Sequence, residues 1–153
     1  MREQSTTTLP SLFEQDETAW LEQTADLVAQ RRFAEIDFDS LSEYLCDMAR
    51  RDKREVFSRL VILIAHLLKW DRQPDQRSNS WRGTILSQRR DLQLLLESGT
   101  LRRYAKETLA KVYKQAVEQA ATESGLEEGI FPAECPMSLD EILAQGGPEL
   151  EEP

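Results

Sequence analysis

The sequence has few of the side chains that most metal sites and nucleophilic enzymes need. Its 153 residues include one histidine, His66, and two cysteines, Cys46 and Cys135. Two cysteines cannot form a multi-disulfide framework or a four-ligand zinc site, and one histidine leaves a metal site short of ligands. The sequence therefore predicts no bound metal and no cofactor.

Long apolar runs are also missing. The longest, residues 60–68, is about half of the roughly 20 residues that a helix needs to span a bilayer. The first residues are polar and lack the apolar centre of a secretion signal. We therefore expect no membrane association, and the sequence favours the cytoplasm.

Charge of either sign is plentiful but unevenly distributed. The net charge is −9, yet residues 50–114 contain 16 of the 19 basic residues and only seven acidic ones, a local balance of +9. The flanks contain three basic and 21 acidic residues. A basic middle can present a positive surface to nucleic acid. The alternative, which we favour, is that the acidic flanks fold against the middle and neutralise it.

Apolar residues recur at helical spacing along most of the chain, with no strand-like alternation. The third predicted helix, about residues 52–70, is apolar on almost every side, which indicates a helix surrounded by others. The sequence thus predicts an all-α, single-domain bundle of five to six helices with a central buried helix, over residues 14–145. Residues 1–13 are predicted to form a flexible N-terminal segment, and residues 146–153 a disordered acidic tail.

In each of the first two predicted helices, apolar residues recur at helical spacing and form one apolar face. Trp20 and Val28 belong to this face in the first helix, which is predicted to begin near Asp16. Leu41 and Leu45 belong to it in the second helix.

Serines and glycines mark the ends of the later helices. Ser78 or Ser80 is expected to cap the fourth helix, which Gly99 then stops, and Gly125 is expected to close the fifth. The sequence Ser-Leu-Asp-Glu, beginning at Ser138, is a capping box that predicts a short last helix.

Several stretches of the chain resemble a known family. They are "RLVILIAHLLKW" followed by "QP", "SWRGTILSQRR", "YKQA" and "GIFPAECPMSLDEIL", together with Asp16 and Trp20. In this order and spacing, over roughly residues 13–144, they are similar to domain of unknown function family twenty-nine, small helical proteins largely from cyanobacteria. The resemblance implies an all-helical domain and supplies no established activity.

The chain departs from the family pattern in the second helix. Members typically have paired glutamates after a leucine, and here Tyr44 and Cys46 occupy the second and third of those carboxylate positions. Any metal or acid–base site that the glutamates form in relatives is therefore expected to be lost. Ala49 stands where a glycine is usual, which favours continuation of the second helix into the third.

His66 and Cys135 are the only candidates for catalytic residues. A neutral imidazole can act as a general base, and with Cys135 as nucleophile it would form a hydrolase pair. The alternative is a core histidine bonded to a carbonyl or carboxylate, and a buried structural cysteine. No oxyanion motif or further catalytic group accompanies them, so we favour the alternative and assign no catalytic residue.

Five arginines in the basic middle form the candidate binding surface. At helical spacing, Arg82 and Arg89 are expected to share a face directed away from Trp81. Such a surface would bind phosphates or a carboxylate-bearing partner. The alternative is internal pairing with acidic residues near the second helix. The arginines are Arg72, Arg77, Arg82, Arg89 and Arg90, and the acidic residues are Glu35, Asp37, Asp39 and Glu43.

Taken together, these patterns favour a non-enzymatic protein-interaction or regulatory module that binds a protein through its arginine-rich middle or its acidic ends. The alternative is a nucleic-acid-binding regulator that uses the five arginines and loses affinity steeply with salt. A Cys/His hydrolase is the third interpretation. A homo-oligomer is compatible with each of them.

Overall fold

A computed structural model describes residues 8–144, which contain six α-helices and no strand. The helices are α1 Leu9–Gln15, α2 Glu17–Ala29, α3 Phe38–Arg72, α4 Asn79–Leu95, α5 Gly99–Ser124 and α6 Leu139–Leu143. Short 3-10 turns at Phe33–Glu35, Pro74–Gln76 and Glu128–Ile130 lie in the connections. The predicted all-α class with a central buried helix is confirmed.

The chain divides into two compact units, Met1–Arg50 and Arg51–Pro153. The first unit contains α1, α2 and the first turns of α3, and the second contains the remainder of α3 with α4, α5 and α6. Helix α1 lies largely within the predicted flexible segment; its Pro10 is compatible with a helix because the first amides of a helix have no intrahelical partner. Residues 1–7 and the predicted tail 146–153 lie outside the described residues.

Trp20 is the centre of packing in the first unit. Its side chain is fully buried, and its ring centroid lies 4.7 Å from that of Phe13 and 5.7 Å from that of Tyr44. Asp16 accepts a hydrogen bond from the amide of Ala19 and so caps α2, where the sequence predicts the first helix to begin. The three rings fix α1 and the first turns of α3 against α2.

Helix α3 is a single helix of 35 residues where the sequence predicts two. Ala49 lies within it, and alanine has the highest helix propensity of all residues. The predicted continuation of the second helix into the third is therefore confirmed. Beyond residue 50, α3 supplies more of the buried core of the second unit than any other helix, including the fully buried Leu60, Leu63 and Ile64.

The boundary between α4 and α5 differs from the prediction. Helix α4 ends at Leu95, and Gly99 is the first residue of α5 rather than the stop of α4. The hydroxyl of Ser98 accepts a hydrogen bond from the amide of Leu101, and this cap offsets the weak helix propensity of glycine. Gly125 closes α5 in the left-handed conformation, with φ of 74°, as predicted.

Serine side chains open α4 and α6. Ser78, rather than Ser80, caps α4 by accepting a hydrogen bond from the amide of Trp81. The predicted capping box of α6 is confirmed: Ser138 Oγ accepts from the Glu141 amide at 3.2 Å, and the Glu141 carboxylate accepts from the Ser138 amide at 3.3 Å.

Replacing Ser138 by alanine is expected to lower the free energy of unfolding by about 1 kcal/mol, because the first amides of α6 lose their acceptor. Urea unfolding followed by circular dichroism measures the change. Ser58→Ala is the control, since Ser58 is exposed within α3 and alanine favours a helix there. Equal losses in the two variants would contradict the stabilising role of the capping box.

Candidate functional site

Arg89 and Arg77, two of the five arginines predicted as a binding surface, are engaged inside the second unit. Arg89 is 2% exposed, and its Nε donates a hydrogen bond of 2.9 Å to the carbonyl of Ile142 in α6. Arg77 Nε donates to the carbonyl of Trp70 at 2.9 Å, and its guanidinium carbon lies 5.1 Å from the centroid of a Trp70 ring. Both side chains therefore satisfy carbonyl oxygens at the C-terminal ends of helices.

The predicted face shared by Arg82 and Arg89 does not form. Arg89 lies four residues after Ile85 and three residues before Leu92, which are both fully buried, so helical spacing places it on the buried side of α4. Burial lowers the pKa of the Arg89 guanidinium, and its Nη2 is buried without a hydrogen-bond partner. One turn later on α4, the side-chain amide of Gln93 donates a hydrogen bond of 2.8 Å to the carbonyl of Leu143.

Of the other predicted arginines, Arg72 and Arg90 are exposed and Arg82 is half-buried. Arg72 Nε lies 3.4 Å from Asp71, and Arg90 Nε lies 3.7 Å from Asp91. Arg82 makes no ion pair or side-chain hydrogen bond with residues 8–144. Arg82 and Arg90 lie two turns apart on α4, so they are the pair that can contact one partner.

The adjacent residues Arg89 and Arg90 provide a matched test. Arg89→Ala is expected to lower the free energy of unfolding by about 2–3 kcal/mol, because it leaves a cavity and removes a charged hydrogen bond to α6. Arg90→Ala is expected to change it by less than about 0.5 kcal/mol. Urea unfolding of both variants measures this difference, and equal stabilities would show that the Arg89 contact is not structural.

Lys69 is a second buried cation, which the sequence analysis did not identify as a site residue. Its Nζ lies 2.5 Å from Glu123 Oε2 in α5 and 4.8 Å from the centroid of a Trp81 ring. Burial alone would raise the pKa of Glu123, but hydrogen bonds from Lys69 and Gln119 hold that pKa below its usual value. Lys69 is the one lysine within the apolar part of α3, and this position indicates a buried cation. Its partner could not be identified in the same way, because Glu123 lies 54 residues away in the sequence.

Acidic residues of the C-terminal flank pair with cations of the basic middle. Glu123 binds Lys69, and Asp140 in α6 pairs with Arg102 in α5. In the sequence, residues 51–144 contain 15 basic and 14 acidic residues, a balance of +1. Two ion pairs thus join the C-terminal flank to the basic middle, and neutralisation of the whole middle by both flanks stays a prediction.

His66 and Cys135 do not form a hydrogen-bonded pair. His66 Nδ1 donates to the Ile62 carbonyl at 2.8 Å, and Cys135 Sγ donates to the Met137 carbonyl at 3.3 Å. Burial raises the pKa of the Cys135 thiol, whereas nucleophilic cysteines have a lowered pKa. These contacts support the structural interpretation of both side chains.

The pH dependence of stability near neutrality reports on His66, because it is the only histidine. Burial, with a contribution from the charge of Lys69, lowers the pKa of His66 below its ordinary value of about 6.5. The unfolded chain therefore binds this proton more readily, and stability declines as the pH falls through about 6.5 towards the pKa of the folded state.

We expect the free energy of unfolding to decrease between pH 7.5 and pH 5.5 in the native sequence, and to decrease less in His66→Gln. Urea unfolding at both pH values measures the two slopes, and NMR titration of the imidazole checks the direction of the pKa shift. Identical slopes in the native chain and in His66→Gln would contradict the lowered pKa of His66.

Within residues 8–144, no group of three or more His, Cys, Asp or Glu side chains is placed to hold a metal ion. No helix in this range has both the length and the apolar content to cross a membrane. Cys46 is an exposed free thiol, and Cys135 is a half-buried one.

The first unit contains an apolar groove between α2 and the first turns of α3. Its volume is about 370 Å³. Val28 and Leu45 belong to the predicted apolar faces, and at 47% and 59% exposed they form part of the walls of the groove. The first unit has too few helical segments to cover every apolar face. The groove is lined by Leu21, Thr24, Ala25, Val28, Ala29, Leu41, Tyr44 and Leu45.

One side chain of the groove has an unsatisfied polar atom. Thr24 is 5% exposed, and its hydroxyl has no hydrogen-bond partner. Most buried polar atoms in proteins do have a partner, and leaving one without costs about 1–3 kcal/mol.

Carboxylates border the groove. On α2, Glu17 lies four residues before Leu21 and Glu22 three residues before Ala25, so helical spacing places these two carboxylates at the edge of the groove. Residues 8–50 contain ten acidic and three basic residues, a balance of −7. Among residues 8–50, the exposed carboxylates whose side chains make no ion pair with residues 8–144 are Glu14, Asp16, Glu17, Glu22, Asp26, Asp39 and Glu43.

Two of the acidic residues predicted to pair with the arginine surface have partners within the first unit. Glu35 binds Arg32, with 2.5 Å between Oε2 and Nε. Asp37 accepts hydrogen bonds from the amide and the hydroxyl of Ser40.

The groove and its acidic border are the site that the sequence did not reveal. The spacing of apolar residues is the same for a helix face that another helix covers and for one that lines an open groove.

One family model, described as Domain of unknown function DUF29, matches residues 12–146. The match includes both the groove of the first unit and the helices of the second. No curated protein and no solved structure matches the chain. Since the family model covers most of the sequence, the chain belongs to the family Domain of unknown function DUF29.

Proposed function

We propose that this chain is a non-enzymatic protein-interaction module whose first unit binds a basic amphipathic helix of a partner protein. The observation that carries the proposal is the apolar groove with its border of unpaired carboxylates. Amphipathic helices bind in apolar grooves through residues spaced three or four apart. A basic helix places apolar side chains in the groove and its cations against the border.

The apolar walls supply the affinity in this proposal. Complete burial of a leucine or valine side chain contributes about 1.5–3 kcal/mol, and Leu45 and Val28 have about half of their surface left to bury. The carboxylates contribute mainly to the rate of association and to the choice of a basic partner. An acidic helix would bring like charges together and is expected to be rejected.

The nucleic-acid alternative has less support. Arg89 is in the core, Arg77 is bound to Trp70, and residues 51–144 are almost neutral in sum. The hydrolase alternative requires an activated Cys135, whereas burial raises the pKa of this thiol.

The proposal places the module in the cytoplasm. Cys46 and Cys135 are both free thiols, and Cys46 is exposed. Thiols persist in reducing compartments, where disulfides are rare. The free thiols therefore support this location.

The groove is tested with a fluorescent helical peptide of about four turns that carries leucine at every fourth position and arginine beside it. We expect the peptide to bind the full chain, and Leu45→Asp to weaken binding about tenfold or more, which corresponds to about 1.4 kcal/mol. Ile130→Asp is the control, because Ile130 is similarly exposed but lies in the second unit. Fluorescence anisotropy measures the dissociation constants.

Equal affinities of the native chain, Leu45→Asp and Ile130→Asp would contradict the groove as the binding site. Binding of duplex DNA without binding of the peptide would favour the nucleic-acid alternative instead. In that case Arg82→Glu with Arg90→Glu should abolish DNA binding, and the affinity should fall steeply with salt.

A further inference from the structure

The exposed side of α4 alternates basic and apolar side chains. Arg82, Leu86, Arg90 and Leu94 recur every four residues and so form one stripe along the helix, which we call the α4 stripe. Leu86 and Leu94 are 48% and 63% exposed. A Cβ atom added at Gly83, next to Arg82, would meet nothing within 4 Å, so this side of the helix is open.

The α4 stripe has charges that its own unit does not neutralise. Arg82 makes no ion pair with residues 8–144, and Arg90 has only the adjacent Asp91, at 3.7 Å. By contrast, the buried cations Lys69 and Arg89 have close partners. A surface with two leucines and two available arginines fits an apolar partner with an acidic border.

The groove of the first unit has an apolar lining and an acidic border, and its length matches that of the α4 stripe. Leu86 and Leu94 are eight residues apart, which is about 12 Å along a helix. The groove follows α2 from Leu21 to Ala29, which is also eight residues and about 12 Å. The two surfaces are therefore complementary in charge, apolarity and length.

We propose that the α4 stripe of a second copy of this chain occupies the groove. The inference rests on the proposed function, because it names the partner of the same groove. Leu86 and Leu94 contact the apolar lining of the groove. Arg82 and Arg90 face the carboxylates of Glu17 and Glu22 at its edge.

The contact is head-to-tail, since the two copies use different surfaces. After one contact forms, one copy still has a free groove and the other a free stripe. Heterologous contacts of this kind build rings when the rotation closes and open chains when it does not. Each contact is small, so we expect assembly to depend on protein concentration and to weaken with salt.

The test uses the full chain and two variants, each of which loses one surface. Leu45→Asp damages the groove, and Leu86→Asp with Leu94→Asp damages the stripe. All three residues are exposed, and circular dichroism checks that the variants are folded. Sedimentation velocity over a concentration series measures the size of the native chain, of each variant and of an equimolar mixture of the two variants.

We expect the native chain to assemble, each variant alone to be monomeric, and the mixture to form a one-to-one dimer. The mixture is decisive because each variant keeps the surface that the other has lost. A third variant with all three substitutions should remain monomeric in every mixture.

A monomeric native chain, an assembly that survives Leu45→Asp, or a mixture that stays monomeric would each overturn the inference. Binding of the fluorescent leucine- and arginine-containing peptide distinguishes failure of this self-association from failure of the proposed function. A monomeric chain whose groove still binds the peptide keeps the groove as a docking site for another protein. A chain that neither assembles nor binds the peptide loses both proposals.

Discussion

The second unit depends on covering the apolar surface of α3. Between Val56 and Trp70 almost every side of this helix is buried, because α4 and α5 pack against it, and α6 packs in turn against α4 and α5. Cations within those packed faces can remain only where an acceptor reaches them. Lys69 has the carboxylate of Glu123 and a Trp81 ring, and Arg89 has the carbonyl end of α6. Much of the basic middle is therefore occupied in holding the unit together, which explains why it does not form a continuous binding surface.

The first unit faces the opposite constraint, because it has more apolar faces than neighbours to cover them. The rings of Phe13 and Tyr44 pack against Trp20, and this packing leaves Val28 and Leu45 at the surface. Exposed apolar patches with a polar rim commonly mark sites of interaction. Tyr44 packs against Trp20 and also lines the groove, whereas Cys46, two residues later, is exposed.

Local signals in the sequence predict most of the fold, because helix ends and apolar spacing are determined by residues a few positions apart. Asp16, Ser138 and Gly125 act as predicted at the ends of α2, α6 and α5. The errors concern burial, which depends on residues far apart in the sequence. The partner of Lys69 is 54 residues away, and Arg89 bonds a carbonyl 53 residues away. For Leu45 the spacing correctly marks an apolar face but cannot show whether another helix covers it.

The unequal charges of the two units connect these observations. Residues 8–50 have a balance of −7, and repulsion among unpaired carboxylates destabilises a compact unit. The second unit pairs the buried Lys69 with Glu123 and bonds Arg89 to a carbonyl of α6, and it leaves Arg82 and Arg90 on an open side of α4. A cationic occupant of the groove would relieve the repulsion in the first unit and cover Leu45 in the same step. Charge and apolar exposure therefore both favour a basic, amphipathic occupant, and α4 of a second copy is such a helix.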